Sequence, residues 1–209
     1  MTQNSKRPEF TSYKRKFNVG QMYEAATKVP SALSGLSFNN KNNLLSEQFV
    51  ERLQLAVTEV NGCAACSYAH TRMALDMGMT KSEINSFLIG DTTYVSDEEA
   101  IAIMFAQHYA DSRSFPDRVA YQKVLEEYGQ DKTRVILAAI QIIYFGNAYG
   151  ISMSALSARL RGKAYKDSSL LYEVGMIISG ILVLPFALLH GVIKLLLKQS
   201  PIKFNDDIK

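Results

Sequence analysis

From Ser46 to Leu160 the apolar residues recur at intervals of three and four, and nowhere along the chain do they alternate singly with polar ones. A period near 3.6 lays side chains along one side of a helix, whereas a strand needs a period of two. With no hairpin dipeptide and no glycine-rich phosphate loop, the expected class is all-α. Stop and start signals divide the pattern. Ser46 is placed to cap a helix through Phe49, Val50, Leu53, Val57 and Val60, which should end near Asn61-Gly62. A second helix then runs from Cys63 to about Met77, where Gly78 breaks it. Thr80-Lys81-Ser82-Glu83 and Ser96-Asp97-Glu98-Glu99 each read as a capping box, the latter opening a helix through Ile101, Met104, Phe105 and His108. Pro116 suits the first turn of a helix ending near Gly129; a long apolar helix follows from Lys132 to about Tyr149 and continues to Leu160. Upstream, Val19 to Ala32 gives a short helical pattern interrupted by Pro30, and Asn39 to Asn43 reads as a polar linker.

The 209 residues, 47% hydrophobic and 21% charged, are enough for one ordinary globular core. A net charge of +3 with interleaved signs gives no stripe that could track phosphates, so nucleic acid is not an expected partner. Lys6, Arg7, Lys14, Arg15 and Lys16 form a local exception, read as a solvated, flexible arm over residues 1–16. The helical domain is expected over 17–166, and an apolar helix with a polar tail over 167–209. Within that last part, residues 174–193 carry no charge and are long enough to cross a bilayer. Ser179, Gly180, Pro185, His190 and Gly191 interrupt the run, so burial against a neighbouring subunit is preferred and membrane association is the alternative.

Two cysteines three residues apart cannot form the bridge framework of a small secreted domain, and the first residues lack the apolar core of a secretory signal. A reducing cytoplasm and a cycling disulfide are expected. At about 100° per residue, Cys63, Cys66 and His70 share one helical face. His70 lies four residues beyond Cys66, within reach of a thiol proton. Placement in the first turn adds the positive end of the helix dipole, which favours the reactive thiolate. A thiolate with a second thiol one turn away can be oxidised and then resolved as a disulfide. A buried inert pair is the plainer alternative. Zinc is disfavoured because three histidines and two cysteines supply no second ligand cluster, and no metal or other cofactor is expected. His108, beside Phe105, reads as a hydrogen-bonded core histidine, and His190 is left open. Phe105, Tyr109, Tyr121, Tyr144, Phe145 and Tyr149 read as core, with lining of a pocket near the thiols as the alternative.

The stretch Phe49 to Ile84, with Glu51 followed by Asn61-Gly62-Cys63-x-x-Cys66-x-x-x-His70, resembles the carboxymuconolactone decarboxylase and AhpD-like alkylhydroperoxidase superfamily. The resemblance is strong over about a sixth of the chain and implies an AhpD-like helical bundle assembling as trimers or hexamers. It implies a peroxidatic Cys66, a resolving Cys63, and a proton relay of His70 with Glu51. Glu59 is a rival that helix geometry does not separate from Glu51. Some AhpD-like members carry a further histidine between the cysteines, where this chain has Ala65. The leading expectation is thus an antioxidant thiol peroxidase or disulfide reductase acting on a hydroperoxide, with a protein or small-molecule thiol as reductant. The alternatives are acid-base lyase chemistry of the carboxymuconolactone decarboxylase kind, through His70 and Glu51, and a non-enzymatic redox switch.

Overall fold

The computed structural model describes residues 11–208. They form eight α-helices and a closing 3-10 turn, Asn205–Ile208, with no strand among the described residues. Helix α1, Val19–Thr27, opens on a reciprocal cap: Asn18 Oδ1 accepts the Gln21 N–H at 2.9 Å, and Gln21 Oε1 accepts the Asn18 N–H at 3.0 Å. Helix α2, Val29–Asn42, carries Pro30 in its first turn. Pro30 therefore starts a helix rather than interrupting one, because a first-turn N–H has no helical acceptor to lose. The supposed linker is also helical through Asn42. The buried Asn39 side chain ties down the following turn at both Leu45 N (2.9 Å) and Leu45 O (3.1 Å), and the chain leaves the helix at left-handed Asn43 (φ 48°).

Helix α3, Glu47–Asn61, is capped by Ser46, whose Oγ accepts from Phe49 N at 3.1 Å, and closes at Gly62 with φ 71°. Helix α4, Ala64–Asp76, follows at once; Gly78 (φ 87°) turns the chain into α5, Lys81–Leu88, capped by Thr80. Helix α6, Asp97–Asp111, departs from the expected capping box: Ser96 makes no side-chain cap, and Glu99 is drawn instead to Arg52 at 2.7 and 2.8 Å. Met104 on this helix faces outward. Helix α7, Arg118–Leu160, begins after Asp117 rather than at Pro116, and contains the expected break, since Gly129 is non-helical (φ 70°, ψ 173°). Helix α8, Leu170–Leu196, passes through the small and polar residues expected to interrupt it, with Pro185 inside.

The core lies where α3, α6 and the second half of α7 meet, with Leu53, Leu55, Val57, Ile136, Ile140 and Ile151 almost wholly buried. Each such side chain contributes about 1.5–3 kcal/mol of transfer free energy. Phe105, Tyr109 and Tyr144 are buried here, while Tyr121, Phe145 and Tyr149 pack against the margin. Helix α2 lies on α7, and α8 lies along α1, α7 and α2. Of the basic arm, Lys6 and Arg7 fall outside the described residues. Lys14, Arg15 and Lys16 are not simply solvated: they face Glu59, Asp111 and Asp167 respectively. His108 is hydrogen-bonded as expected but sits at the margin, its Nε2 accepting the Asp117 N–H at 3.0 Å with about a third of the side chain exposed.

Candidate active site

Asn61-Gly62-Cys63 is the joint between α3 and α4, and glycine is required at its centre. Gly62 holds a left-handed φ of 71°, and a Cβ there would lie 2.6 Å from the Lys14 Cβ, which covers the turn. The reversal lays α4 back against α3. Cys63 is the N-cap of α4, with extended φ −89° and ψ 101°, so it does not share the helical face of Cys66 and His70 as the simple 100° count predicts. Its side chain folds back over the first turn instead, where Sγ accepts the Cys66 N–H at 3.3 Å and bonds to the Cys66 sulfur as a disulfide. Cys63 is fully buried, whereas Cys66 keeps partial exposure. Of the two cysteines, only Cys66 is partly reachable from outside.

One turn beyond Cys66, His70 meets Glu51 of α3, with Nδ1 to Oε1 at 2.7 Å. Glu51 is 1% exposed, a depth at which a carboxylate needs a polar partner. In a neutral imidazole, a carboxylate at Nδ1 favours the tautomer with the proton on that nitrogen and the lone pair on Nε2, the arrangement a general base needs. Glu59, by contrast, is engaged with Lys14 at 2.7 Å, on the side of α3 that faces the Gly62 turn.

The rest of the seat comes from α7, and no local signal announced it. Gly146, Gly150 and Ser154 recur every four residues and face the start of α4. Gly146 O lies 3.7 Å from Cys66 Sγ; Ser154 Oγ accepts the otherwise unpaired Ala65 N–H at 3.1 Å. A Cβ on Gly150 would stand 2.8 Å from Cys63 Sγ and 3.0 Å from Cys66 Sγ, so only glycine lets α7 approach the sulfurs this closely. Tyr149 and Phe145 on the same helix pack ring against ring, tilted by 49° with centroids 4.7 Å apart, and burial raises the Tyr149 phenol above its ordinary range. Behind Cys63, the Asn147 amide donates to Thr58 Oγ1 at 3.2 Å and ties α7 to α3. A spacing-based search starting from the cysteines could not reach these positions, which lie some eighty residues downstream. Among the described residues no cluster of His, Cys, Asp or Glu is arranged to hold a metal ion.

The site is thus a Cys-x-x-Cys pair at the start of one helix of an all-helical bundle, with a Glu-His pair beside it. Residues 27–107 match the model of the carboxymuconolactone decarboxylase family, consistent with the AhpD-like superfamily. The matched span runs from the end of α1 into α6 and contains Glu51, Cys63, Cys66 and His70, while the α7 seat lies beyond it. The chain is also similar to the uncharacterized protein YdfG of Bacillus subtilis (strain 168), 26% identical over 139 residues that cover 65% of this chain and 94% of that protein.

Proposed function

We propose that the protein is a thiol-dependent peroxidase whose cycle runs through Cys66 and Cys63. In the reduced form, the Cys66 thiolate attacks the outer oxygen of a hydroperoxide; the O–O bond breaks, and the alcohol leaves with a proton passed through His70. Cys66 is then a sulfenic acid. The Cys63 thiol, its proton lost to the same base, attacks that sulfur; the S–O bond breaks, water departs and the disulfide closes. Two electrons have passed from the thiols to the peroxide, and a dithiol or two monothiols restore them. A disulfide substrate can take the peroxide's place in the same direction: the Cys66 thiolate attacks one of its sulfurs and the other leaves as a thiol, then Cys63 attacks Cys66, the second substrate thiol leaves and the Cys63–Cys66 disulfide closes, so disulfide reductase activity shares the site.

One observation carries this reading: a buried Cys63 is bonded to a partly exposed Cys66 at the start of α4, one turn from the Glu51–His70 pair. The partly exposed cysteine is the one suited to meet substrate, and the buried one to resolve the product. The Glu51–His70 pair alone could serve a lyase, which gives a second reading. Steady-state consumption of an organic hydroperoxide with excess dithiol separates them. Cys66→Ser is expected to abolish turnover, and Glu51→Gln and His70→Ala each to slow it about 100-fold. Turnover of a lactone substrate surviving in the double Cys→Ser variant, with no peroxide consumed by wild type, would establish the lyase instead. Oxidation once without cycling under excess reductant would make the pair a switch.

A further inference from the structure

Among the described residues two helices are long and apolar enough to cross a membrane by length and composition, and they differ in burial: the apolar window of α7 is 72% buried, that of α8 only 22%. On α8 the residues Leu171, Ile178, Leu182, Phe186, Leu189 and Leu196 are all more than half exposed. At about 100° per residue, the exposed apolar side chains of this helix sweep about half its circumference. The remainder is fixed to the bundle. A Cβ on Gly180 would meet the Met22 side chain and the Tyr149 ring, and one on Gly191 would strike the Thr27 carbonyl and Pro30; His190 pairs with the Tyr23 hydroxyl at 3.1 Å. Close seating at both points holds α8 along its length.

The breadth and rim of this face decide what fits it. A partner helix covers a seam of about 100° and leaves the flanks wet. Protein interfaces are ringed by polar residues, yet residues 174–193 hold no charge on any side. The charges gather at the two ends instead. Residues 159–203 contain seven lysines and arginines, four before the apolar run and three after it, against two acids. Both acids are engaged within the protein, Asp167 with Lys16 and Glu173 with Arg159, and of the seven cations Arg159 and Lys203 are paired with acids, the latter with Glu24, while Arg161 and Lys166 before the run and Lys194 and Lys198 after it add positive charge at its two ends. An apolar face flanked at both ends by net positive charge is complementary to a bilayer carrying anionic headgroups.

We infer that α8 attaches the protein to the surface of an anionic bilayer, lying in the plane of the headgroup boundary with the bundle above it. The inference stands apart from the thiol chemistry and holds for any activity of the site. Flotation of the purified full chain with phosphatidylcholine vesicles containing about 30% phosphatidylserine tests it. The protein is expected to float with these vesicles, to float at least tenfold less with pure phosphatidylcholine, and to be released by alkaline carbonate. Leu182→Glu with Phe186→Glu changes only exposed side chains; it should abolish flotation while leaving the circular dichroism and melting temperature of the protein unchanged. Lys166→Gln with Lys198→Gln should weaken binding to the anionic vesicles alone. Failure to float would overturn the inference, and sedimentation showing that the Leu182→Glu, Phe186→Glu variant turns an oligomer into a monomer would then give the face to a second copy. Retention through carbonate would overturn it in favour of a spanning helix.

Discussion

Gly150 occupies its place because two sulfurs press on it, and replacing it is therefore informative. In a helix interior Gly→Ala ordinarily stabilises by about 0.5–1 kcal/mol. Gly175 on α8 has no neighbour within 4 Å of an added Cβ and should show that gain. At Gly150 the added methyl must push α4 away from α7, and Ala is expected to destabilise the oxidised protein by about 1–3 kcal/mol. Urea midpoints of Gly150→Ala and Gly175→Ala should move in opposite directions; a gain at both sites would show that the sulfurs do not bear on α7. At this scale the sequence was readable where the chemistry is local. Cys63, Cys66, His70 and the turn at Gly62 lie within one short register, and Glu51 one helix earlier. Gly150, Gly146 and Ser154 were not readable, because their role appears only when α7 is laid against α4.

Between elements, the joint that closes the bundle is ionic. Glu173, in the first turn of α8, is fully buried and takes two hydrogen bonds from Arg159 at the end of α7, at 2.7 and 2.9 Å, and one from Ser168 at 2.6 Å. The guanidinium beside it holds the carboxyl below its ordinary range. That contribution is present above the unfolded-state value near 4.5 and is lost as pH falls through the lower folded one. Arg159→Met leaves the carboxylate covered with its main partner gone and should lower the urea midpoint at neutral pH. Arg159→Met with Glu173→Leu should cost clearly less in the same denaturation experiment; equal losses would mean that the pair does not interact. Most helix boundaries were legible from Ser46, Gly62, Gly78, Thr80 and Gly129, whose effects are local. Ser96 marks the start of α6 as read but makes no capping bond, Glu99 answering instead to Arg52 across helices, and Pro30 misled because a first-turn proline and a helix-breaking one look alike until the helix start is known.

Across the whole molecule, the all-helical class followed from periodicity, whereas the packing partner of each helix did not, since a stripe records that it is buried and not by what. Lys28 illustrates the difference. Lying between two helices in sequence, it proves to be 5% exposed, with Nζ 3.1 Å from the Tyr109 hydroxyl and over the Tyr109 and Phe115 rings. Burial lowers its pKa from 10.5 to about 8, the nearby Glu24 only partly opposing the shift. Above pH 8 the unfolded chain therefore binds a proton that the folded protein has released, so stability rises with pH through this window. Near pH 10 the gain is checked, because buried tyrosines such as Tyr109, held protonated by burial, ionise more readily once unfolded. Chemical denaturation from pH 7.5 to 10 should show this rise, up to about 3 kcal/mol from Lys28 alone. Lys28→Met should flatten it, and an unchanged slope would assign the proton elsewhere.

The division of labour between the two sulfurs is tested most directly by intact-mass spectrometry of the reduced protein after one equivalent of hydroperoxide. Wild type should lose two hydrogens, and Cys63→Ser should instead gain one oxygen on Cys66, trappable by a sulfenic-acid reagent. Oxygen appearing on Cys63 in the Cys66→Ser protein, with Cys66 inert in Cys63→Ser, would contradict the account.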